Sequence, residues 1–339
     1  MKELIIGGVA IKPGESKKID LPVVRLYTDT EIKMPVYVKR ARKDGPVMFV
    51  SAAVHGDELN GVEIIRRLIR RSSLKLTKGT LIFVPMVNVY GVLNQSRYMP
   101  DRRDLNRVFP GSTRGSLAGR LAHIFLNEIV SKCDYGIDLH TGAIHRSNLP
   151  QIRADLDDAE TRDMAEKFGV PVLLNSNLRD GSLRESAVEH GVKILLYEAG
   201  EALRFDELSI RAGERGVINV LAHLGLIRKR KPSSTSNKKI MPFIAYSSSW
   251  VRADTSGFVR DRVQIGDQVT KGQVLAEIGD SFGEVQSKVL AGREGIIIGK
   301  QNIPLVQEGD AMFHIAYFKE SDEVAGNIED LADNLLDSE

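Results

Sequence analysis

An apolar run in the first third of the chain ends abruptly on a polar cluster. Residues 47–54 are almost entirely apolar, and their length and composition predict a buried strand. The next four residues are His55, Gly56, Asp57 and Glu58. Apolar residues then recur at helical spacing, which predicts a helix over residues 60–71. The polar cluster is therefore placed in a strand-to-helix turn, where open α/β sheets bind their ligands.

The same alternation of strand-like and helical segments continues to about residue 226. It predicts further strands at 80–87, 135–139, 170–174 and 193–198, and further helices at 116–131, 157–168, 182–189 and 206–224. Such alternation is typical of an α/β fold with a mixed sheet flanked by helices. Residues 1–45 contain short strand-like runs at 4–9, 23–27 and 34–39, broken by proline and glycine. They are expected to form an antiparallel β edge of the same domain.

A change of composition after residue 227 predicts a domain boundary, and a chain of 339 residues is long enough for two domains. Residues 46–227 form the predicted α/β domain. Residues 228–239, with Pro232 and a run of serine, threonine and asparagine, are predicted to be a polar linker. Residues 240–319, rich in glycine and short strands, are predicted to be a small β domain. Residues 320–339 contain acidic and no basic residues and are expected to be mobile or loosely helical.

A weak internal repeat within residues 240–319 resembles the barrel-sandwich hybrid of lipoyl and biotinyl carrier domains. The motif Gly-Phe-Val at 257–259 is matched by Gly-Ile-Ile at 295–297, and Gly266-Asp267 by Gly309-Asp310. Carrier domains present a modified lysine on a tight hairpin, and neither Lys271 nor Lys288 has that sequence context. We therefore expect an unmodified structural domain.

Charge and composition exclude several classes of protein. The formal net charge is +2, and the basic residues are scattered except at 228–231 and 238–239, which argues against a nucleic-acid partner. The apolar runs are too short to span a bilayer, and the first residues lack the layout of a secretory signal. We expect a cytoplasmic protein without a membrane partner. The single cysteine, Cys133, excludes an internal disulfide and is expected to be buried in packing.

The polar cluster and a second strand end offer a set of metal ligands. His55 and Glu58 alone are weak evidence, because such a pair also occurs in solvated loops. His140 ends the strand predicted at 135–139, and with it the set becomes two histidines and one carboxylate, as in catalytic zinc sites with an open position. Asp138 lies on the same face of that strand and is expected to orient a ligand imidazole, the alternative being a helix cap.

A highly charged loop lies between these two ligand segments. It contains Arg97, Tyr98, Arg102, Arg103, Asp104, Asn106 and Arg107 and shows no periodicity of a core element. Loops above a rigid sheet commonly recognise substrate, and a guanidinium can bind a carboxylate or polarise a carbonyl. The alternative interpretation is a solvated basic loop.

Taken in order, these motifs resemble the succinylglutamate desuccinylase and aspartoacylase family, which has a zinc carboxypeptidase-like fold. The resemblance covers residues 45–226 and extends to the C-terminal β segment. The matching motifs are His55-x-x-Glu58, Arg97-Tyr98, Asp104-Leu-Asn106-Arg107, Asp138-Leu-His140-Thr-Gly and Glu198-Ala-Gly.

The resemblance implies a role for each motif. His55, Glu58 and His140 would bind one zinc ion per subunit, and Glu198 would be the general base and acid. Arg97 would polarise the scissile carbonyl, and Asn106 and Arg107 would hold the substrate carboxylate. The loop from Tyr98 to Asp104 looks two residues longer than in aspartoacylases, so Arg102 or Arg103 is a candidate to replace Arg97 or to bind a second acidic group.

The implied function is that of a zinc-dependent amidohydrolase acting on a small N-acyl amino acid of acetyl or succinyl type. The alternative is a metallocarboxypeptidase that removes acidic C-terminal residues from peptides, because the same asparagine–arginine pair can hold an α-carboxylate. A non-enzymatic protein with a degenerate site is a third interpretation, which the complete set of motifs argues against. The sequence leaves open whether the chain forms a homo-oligomer.

Overall fold

The computed structural model describes residues 3–229 and 240–336. The strands of the first 229 residues are β1 (Leu4–Ile6), β2 (Val9–Ile11), β3 (Ser16–Arg25), β4 (Glu31–Arg40), β5 (Val47–Ala52), β6 (Thr80–Val84), β7 (Tyr135–Gly142), β8 (Arg146–Ala154), β9 (Val172–Asn175) and β10 (Lys193–Glu201). The helices are α1 (Asn60–Arg70), α2 (Val89–Leu93), α3 (Leu117–Glu128), α4 (Ala159–Phe168), α5 (Leu183–Glu189), α6 (Glu207–His223) and α7 (Ser321–Leu336). Short 3₁₀ helices span Leu105–Arg107 and Val130–Lys132.

The C-terminal segment contributes nine more strands within residues 240–336. They are β11 (Phe243–Ala245), β12 (Ser247–Arg252), β13 (Gly257–Asp261), β14 (Gln268–Val269), β15 (Val274–Gly279), β16 (Val285–Leu290), β17 (Gly295–Gln301), β18 (Leu305–Val306) and β19 (Ala311–Tyr317).

A mixed sheet of 13 strands organises the fold. Ten of them follow one another in the order β12-β19-β17-β8-β10-β7-β5-β6-β4-β3, while β9 pairs with β8, β11 pairs with β9, and β14 pairs with β17. Strands β6, β5, β7 and β10 are parallel. Strand β4 runs antiparallel to β3 and β6, and β8 runs antiparallel to β10 and β17 but parallel to β9. The prediction of an α/β fold with a mixed sheet flanked by helices is confirmed.

The sheet is covered on both faces, and this explains the continuous apolar run of β5. Met48 belongs to the apolar cluster that includes residues of α1, α4 and α6, whereas its neighbour Phe49 belongs to the cluster that includes residues of α3 and α5. Because successive side chains of a strand point to opposite faces, a strand covered twice shows no polar alternation. Cys133 is buried, as predicted, and burial raises the pKa of its thiol.

Several parts of the first half differ from the predictions: the strand expected at 23–27 is β3, which begins at Ser16, and the short helix α2 was not predicted. The strand expected at 4–9 is a hairpin of β1 and β2, turned by Gly7 and Gly8, which both have positive φ. The larger difference is β8, which the sequence analysis missed. Its polar residues and Pro150 obscure the strand pattern, yet it pairs with β10 on one side and with β17 and β9 on the other.

The C-terminal strands are joined to the sheet of the α/β part. Strand β17 pairs with β8 in antiparallel register, with Gly299 opposite Asn148, so β17, β19 and β12 continue the main sheet. Strands β13, β15, β16 and β18 form a separate four-stranded sheet. An apolar cluster that includes Leu275, Ile297 and Phe313 lies between these two sets of strands. The C-terminal segment is therefore positioned to contribute side chains to a site on the main sheet.

The acidic tail, expected to be mobile or loosely helical, forms the regular helix α7. Val324, Leu331 and Leu335 are buried, at a spacing of one helical face, and Leu331 and Leu335 join the core cluster that α6 also lines. Arg211 of α6 donates a hydrogen bond to the Leu335 carbonyl. Residues 230–239 of the predicted linker lie outside the described residues. Among the helices of the described ranges, none has the length and apolarity that crossing a membrane requires.

Candidate active site

The cleft that contains the predicted ligands has a volume of about 730 Å³ and opens where β5, β7 and β10 end. His55 and Glu58 follow β5, His140 lies near the end of β7, and Glu198 lies near the end of β10. Because these strands are parallel, their carboxyl ends meet at one edge of the sheet. The structure thus brings the side chains from three separate sequence motifs into one cleft.

Glu58 lies between the two imidazoles. Its Oε1 is 2.7 Å from Nδ1 of His55, and its Oε2 is 2.8 Å from Nδ1 of His140. The backbone N–H of Thr141 donates to Oε2 at 3.0 Å. The three side chains are buried, and one ligand atom of each lies within 4.8 Å of the others. Burial alone would raise the pKa of Glu58, but His55 and His140 hold it well below its usual range, so Glu58 is a carboxylate.

Two further carboxylates hold the outer nitrogens of these imidazoles. His55 Nε2 is 3.2 Å from Asp104 Oδ1, and His140 Nε2 is 2.6 Å from Asp138 Oδ2. A carboxylate at Nε2 keeps a proton there, so in the neutral ring the Nδ1 lone pair faces Glu58. Burial would lower the pKa values of both rings, but the neighbouring carboxylates raise them, so without a metal a proton on each Nδ1 lies where a cation would otherwise bind. The donor set therefore fits a divalent metal ion such as zinc.

Asp138 lies against His140, as expected from their spacing on one strand. The hydroxyl of Ser51, in the neighbouring strand β5, donates to the other carboxylate oxygen of Asp138 at 2.7 Å. Ser51 and Asp138 are direct partners in the register of β5 and β7. The strand pairing therefore fixes the carboxylate that orients the His140 ring.

Arg97 lies beside the ligand set. Its Nη2 donates to Asp104 Oδ2 at 2.9 Å, and its Nη1 is 3.4 Å from Glu58 Oε1. Burial would lower the pKa of Arg97, but Glu58 and Asp104 raise it above its ordinary value, so the guanidinium stays charged. This position allows Arg97 to donate to an oxygen near the ligands.

The structure does not bring Tyr98, Arg102 and Arg103 into the cleft. All three are exposed, and none of them lines the cavity. Hydrogen bonds between the backbones of Met99 and Arg103 and of Arg102 and Met99 close a tight turn around the buried Met99. This turn directs the arginine pair outward, which argues against a role of Arg102 or Arg103 in place of Arg97.

Asn106 and Arg107 line the cleft on the 3₁₀ helix of the same loop. Asn106 is buried, and its Oδ1 accepts a hydrogen bond from the backbone N–H of Leu183 at 2.8 Å. Arg107 is exposed, and its Nη1 donates to the Asn106 carbonyl at 2.6 Å. An amide of fixed orientation and a charged guanidinium are thus neighbours at one end of the cleft.

Glu198 is the direct register partner of His140 in the parallel pair β10 and β7, so both side chains project to the same face. Its Oε2 accepts a hydrogen bond from Asn148 Nδ2 at 2.8 Å and lies 3.0 Å from Nη2 of Arg153. Both partners belong to β8, the strand that the sequence analysis missed.

Other residues of the cleft were also missed. Arg179 and Arg184 come from residues 176–184, before and within α5, and Trp250 comes from β12. Arg184 is buried, and within the described ranges its guanidinium donates only to the carbonyls of Ser176 and Asn177, both at 3.3 Å. Burial and the nearby cations Arg153 and Arg179 lower the pKa of Arg184. Nothing in the local pattern around these arginines distinguishes them from surface residues.

Trp250 forms a stack at the cleft wall. Its ring packs on His314 of β19, with centroids 4.7 Å apart and an interplanar angle of 10°. The guanidinium of Arg146 lies 5.3 Å from the centroid of the same indole. The C-terminal segment therefore supplies part of the cavity lining.

Comparisons with known proteins agree with the motifs. The succinylglutamate desuccinylase/aspartoacylase catalytic domain matches residues 44–224. An N-alpha-acetyl-L-2,4-diaminobutyric acid deacetylase from Halomonas elongata is 30% identical over 300 residues, which cover 86% of this chain and 87% of the relative. A succinylglutamate desuccinylase from Pseudomonas aeruginosa is 29% identical over 154 residues, or 41% of this chain and 44% of the relative.

A solved structure extends the likeness over most of the fold. The structure of a succinylglutamate desuccinylase/aspartoacylase from Rhodobacter sphaeroides superposes with a TM-score of 0.80 at 25% identity. It covers 91% of this chain, and the match spans 97% of that structure. The named relatives are a deacetylase and a desuccinylase, which are both amide hydrolases.

Proposed function

Because this chain belongs to the succinylglutamate desuccinylase/aspartoacylase family, we propose that it is a zinc-dependent amidohydrolase that removes the acyl group from a small N-acyl amino acid. The observation that carries the proposal is the buried set of His55, Glu58 and His140 in one cleft with Glu198. Such a set offers three metal ligands beside a carboxylate that is not one of them, as a metal-assisted hydrolase requires.

His55, Glu58 and His140 would hold the zinc ion, which when bound would polarise the amide carbonyl and make a water molecule more acidic. Glu198 accepts a proton from the attacking water and returns it to the leaving nitrogen. Arg97, beside the ligands, donates to the carbonyl oxygen as negative charge develops there. Asn106 and Arg107 bind the α-carboxylate of the amino acid.

The charge of the cleft supports an anionic substrate. Six arginines line it, and within the described residues only Arg97 and Arg153 form ion pairs with carboxylates. The four arginines without such a pair are Arg107, Arg146, Arg179 and Arg184. An N-acyl amino acid with a second carboxylate, on its side chain or on a succinyl group, would neutralise this excess, whereas a cationic side chain would add to it.

Amine release from a panel of substrates tests the proposal. The zinc-loaded protein would be assayed with N-acetyl-aspartate, N-acetyl-glutamate, N-succinyl-glutamate, N-acetyl-diaminobutyrate and peptides that end in glutamate. We expect turnover of the small acidic N-acyl compounds. Glu198→Gln should lose at least about a thousandfold in kcat while keeping its zinc, because proton transfer fails and the ligands remain. Cleavage of the peptides alone would identify a carboxypeptidase, and no turnover of any compound would refute the proposal.

We propose that residues 240–319 form an unmodified structural unit of the barrel-sandwich hybrid type. The apolar cluster shared by two sheets and the weak sequence repeat support this description. Lys288 lies in the middle of β16 instead of on a hairpin turn. An intact mass equal to the mass of the sequence is expected, and a lipoyl or biotinyl adduct would contradict it.

A further inference from the structure

A hydrogen bond and an ion pair from one strand hold a single oxygen of Glu198. Asn148 Nδ2 donates to Oε2 at 2.8 Å, and Arg153 Nη2 lies 3.0 Å from the same oxygen. The other oxygen, Oε1, forms no hydrogen bond within residues 3–229 and 240–336, and it is not among the buried polar atoms that lack a partner. Oε1 is therefore the oxygen that faces solvent in the cleft.

We infer that Arg153 is a positioning residue for Glu198. With Asn148 it anchors Oε2, so that Oε1 is the oxygen that takes the proton from water and delivers it to the leaving nitrogen. This inference rests on the proposed function and deepens it. The proton count is complete: one water O–H bond and the amide C–N bond break, a C–O and an N–H bond form, and Arg153 and Asn148 keep their protons throughout.

The strand pairing explains why Arg153 reaches Glu198. In the antiparallel pair of β8 and β10, Arg153 lies opposite Leu196, two residues before Glu198, and therefore on the same face of the sheet. Asn148 lies opposite Gly200, on the other side of Glu198 along the strand. The carboxylate is thus held from both directions along β8, which restricts its rotation more than one partner would.

The surroundings of Arg153 favour this role over a general attraction for substrate. The salt bridge to Glu198 is its only ion pair among the described residues. Its Nε is buried without a hydrogen-bond partner, so the stem of the guanidinium is enclosed while Nη2 points to the carboxylate. The neighbouring Arg184 is also a cation and repels Arg153. Glu198 is therefore the negative charge that keeps the Arg153 side chain in place.

Steady-state kinetics of the zinc-loaded full chain would test the inference, with the best substrate of the panel. Arg153→Met should lower kcat by about tenfold to hundredfold and change KM by less than about threefold, because an ion pair that orients a catalytic group is lost. Arg153→Lys, which keeps the charge, should recover part of kcat. Arg260→Met, a charge loss on β13 outside the cleft, should match the unmodified enzyme.

A double-mutant cycle with Glu198→Gln separates positioning from substrate binding. If Arg153 acts through Glu198, adding Arg153→Met to Glu198→Gln causes little further loss. A raised KM with unchanged kcat, or losses that simply multiply, would overturn the inference. If Arg153→Met fails to fold, Asn148→Ala removes the hydrogen bond to Oε2 and should lower kcat in the same manner. The activity of the unmodified enzyme tests the proposed function, whereas the ratio of variant to unmodified kcat tests only this inference.

Discussion

The cleft has two walls that are built on different principles. The metal wall, named for the proposed zinc ion, consists of His55, Glu58 and His140, which are buried at the carboxyl ends of the parallel strands β5 and β7. The base wall consists of Glu198, Asn148, Arg153 and Trp250, which lie on strands running in both directions and in the C-terminal segment. Carboxylates orient the metal wall, whereas an arginine and an amide orient the base wall.

This difference suits the two tasks. A metal ligand must present a lone pair, and a carboxylate on the far side of an imidazole keeps the proton away from it. A general base must present one oxygen that is free to take a proton. A guanidinium that binds the second oxygen of the carboxylate leaves the first one accessible. Substitutions in the metal wall are therefore expected to lower the zinc content, whereas substitutions in the base wall are expected to lower kcat while zinc stays bound.

Glu58→Gln should have the largest effect and test the metal wall. The amide binds a divalent cation more weakly than the carboxylate does, and it replaces the only negative charge in the ligand set. We expect zinc content, measured by mass spectrometry of the dialysed protein, to fall below about one tenth of the unmodified value and kcat to fall more than about a thousandfold.

Asp57→Asn is the matched control for that experiment. Asp57 is also buried and is the sequence neighbour of Glu58, but it is not part of the ligand set. It should keep its zinc. Equal zinc loss in both variants would attribute the effect to local misfolding instead of to coordination.

Asp138→Asn should weaken metal binding without abolishing it. The amide no longer holds the proton on Nε2 of His140 as firmly, so the ring is less well oriented, and zinc affinity should fall by about tenfold to hundredfold. Competition with a chromophoric chelator measures this change. Asp134→Asn, at the start of the same strand and bonded to the Val47 backbone, should leave the affinity unchanged.

The metal wall could be predicted from the sequence because each parallel strand is buried on both faces. An apolar run that stops on a histidine marks the strand end by itself, as at His55 and His140. Glu58 follows His55 in the same polar turn, and the resemblance to the family supplied Glu198.

The base wall could not be predicted in the same way. Strand β8 contains Pro150 and several polar residues, and it is a strand because β10 and β17 supply its hydrogen bonds. Arg153 and Trp250 reach the cleft through pairings between segments far apart in the sequence, and no local pattern records such pairings. The charged loop shows the opposite error: Arg102 and Arg103 have suitable chemistry, but a tight turn directs them away from the cleft.

His314, on which the Trp250 ring stacks, should also make the free energy of unfolding depend on pH. Burial and the nearby Arg153 lower the pKa of His314 to about 3, whereas the pKa of an unfolded histidine is about 6.5. Between these values the unfolded chain binds a proton that the folded chain does not. His314 therefore lowers the free energy of unfolding as the pH falls from about 6.5 towards 3, by up to about 1.4 kcal/mol per pH unit.

His314→Phe keeps an aromatic ring under Trp250 and removes the titrating group. Urea unfolding of both proteins between pH 7 and pH 4 should show that the stability difference shifts in favour of the variant as the solution becomes more acidic. His55 and His140 are present in both proteins, so their contributions cancel in the comparison. Parallel stability curves would show that His314 does not carry this pH dependence.

Gly299→Ala should have the smallest effect and link the C-terminal segment to the base wall. A Cβ at Gly299 would lie 2.9 Å from Asn148 Oδ1 and 3.1 Å from His314 Cβ, so the Asn148 amide would have to shift. Because Asn148 donates a hydrogen bond to Glu198, we expect kcat to fall about threefold to tenfold with zinc content unchanged. Gly292→Ala, where no atom lies within 4 Å of the new Cβ, is the control. The contrary result is a lower zinc content with an unchanged kcat per bound zinc. It would mean that a change in β17 affects metal binding and not Glu198, so the two walls would not be independent.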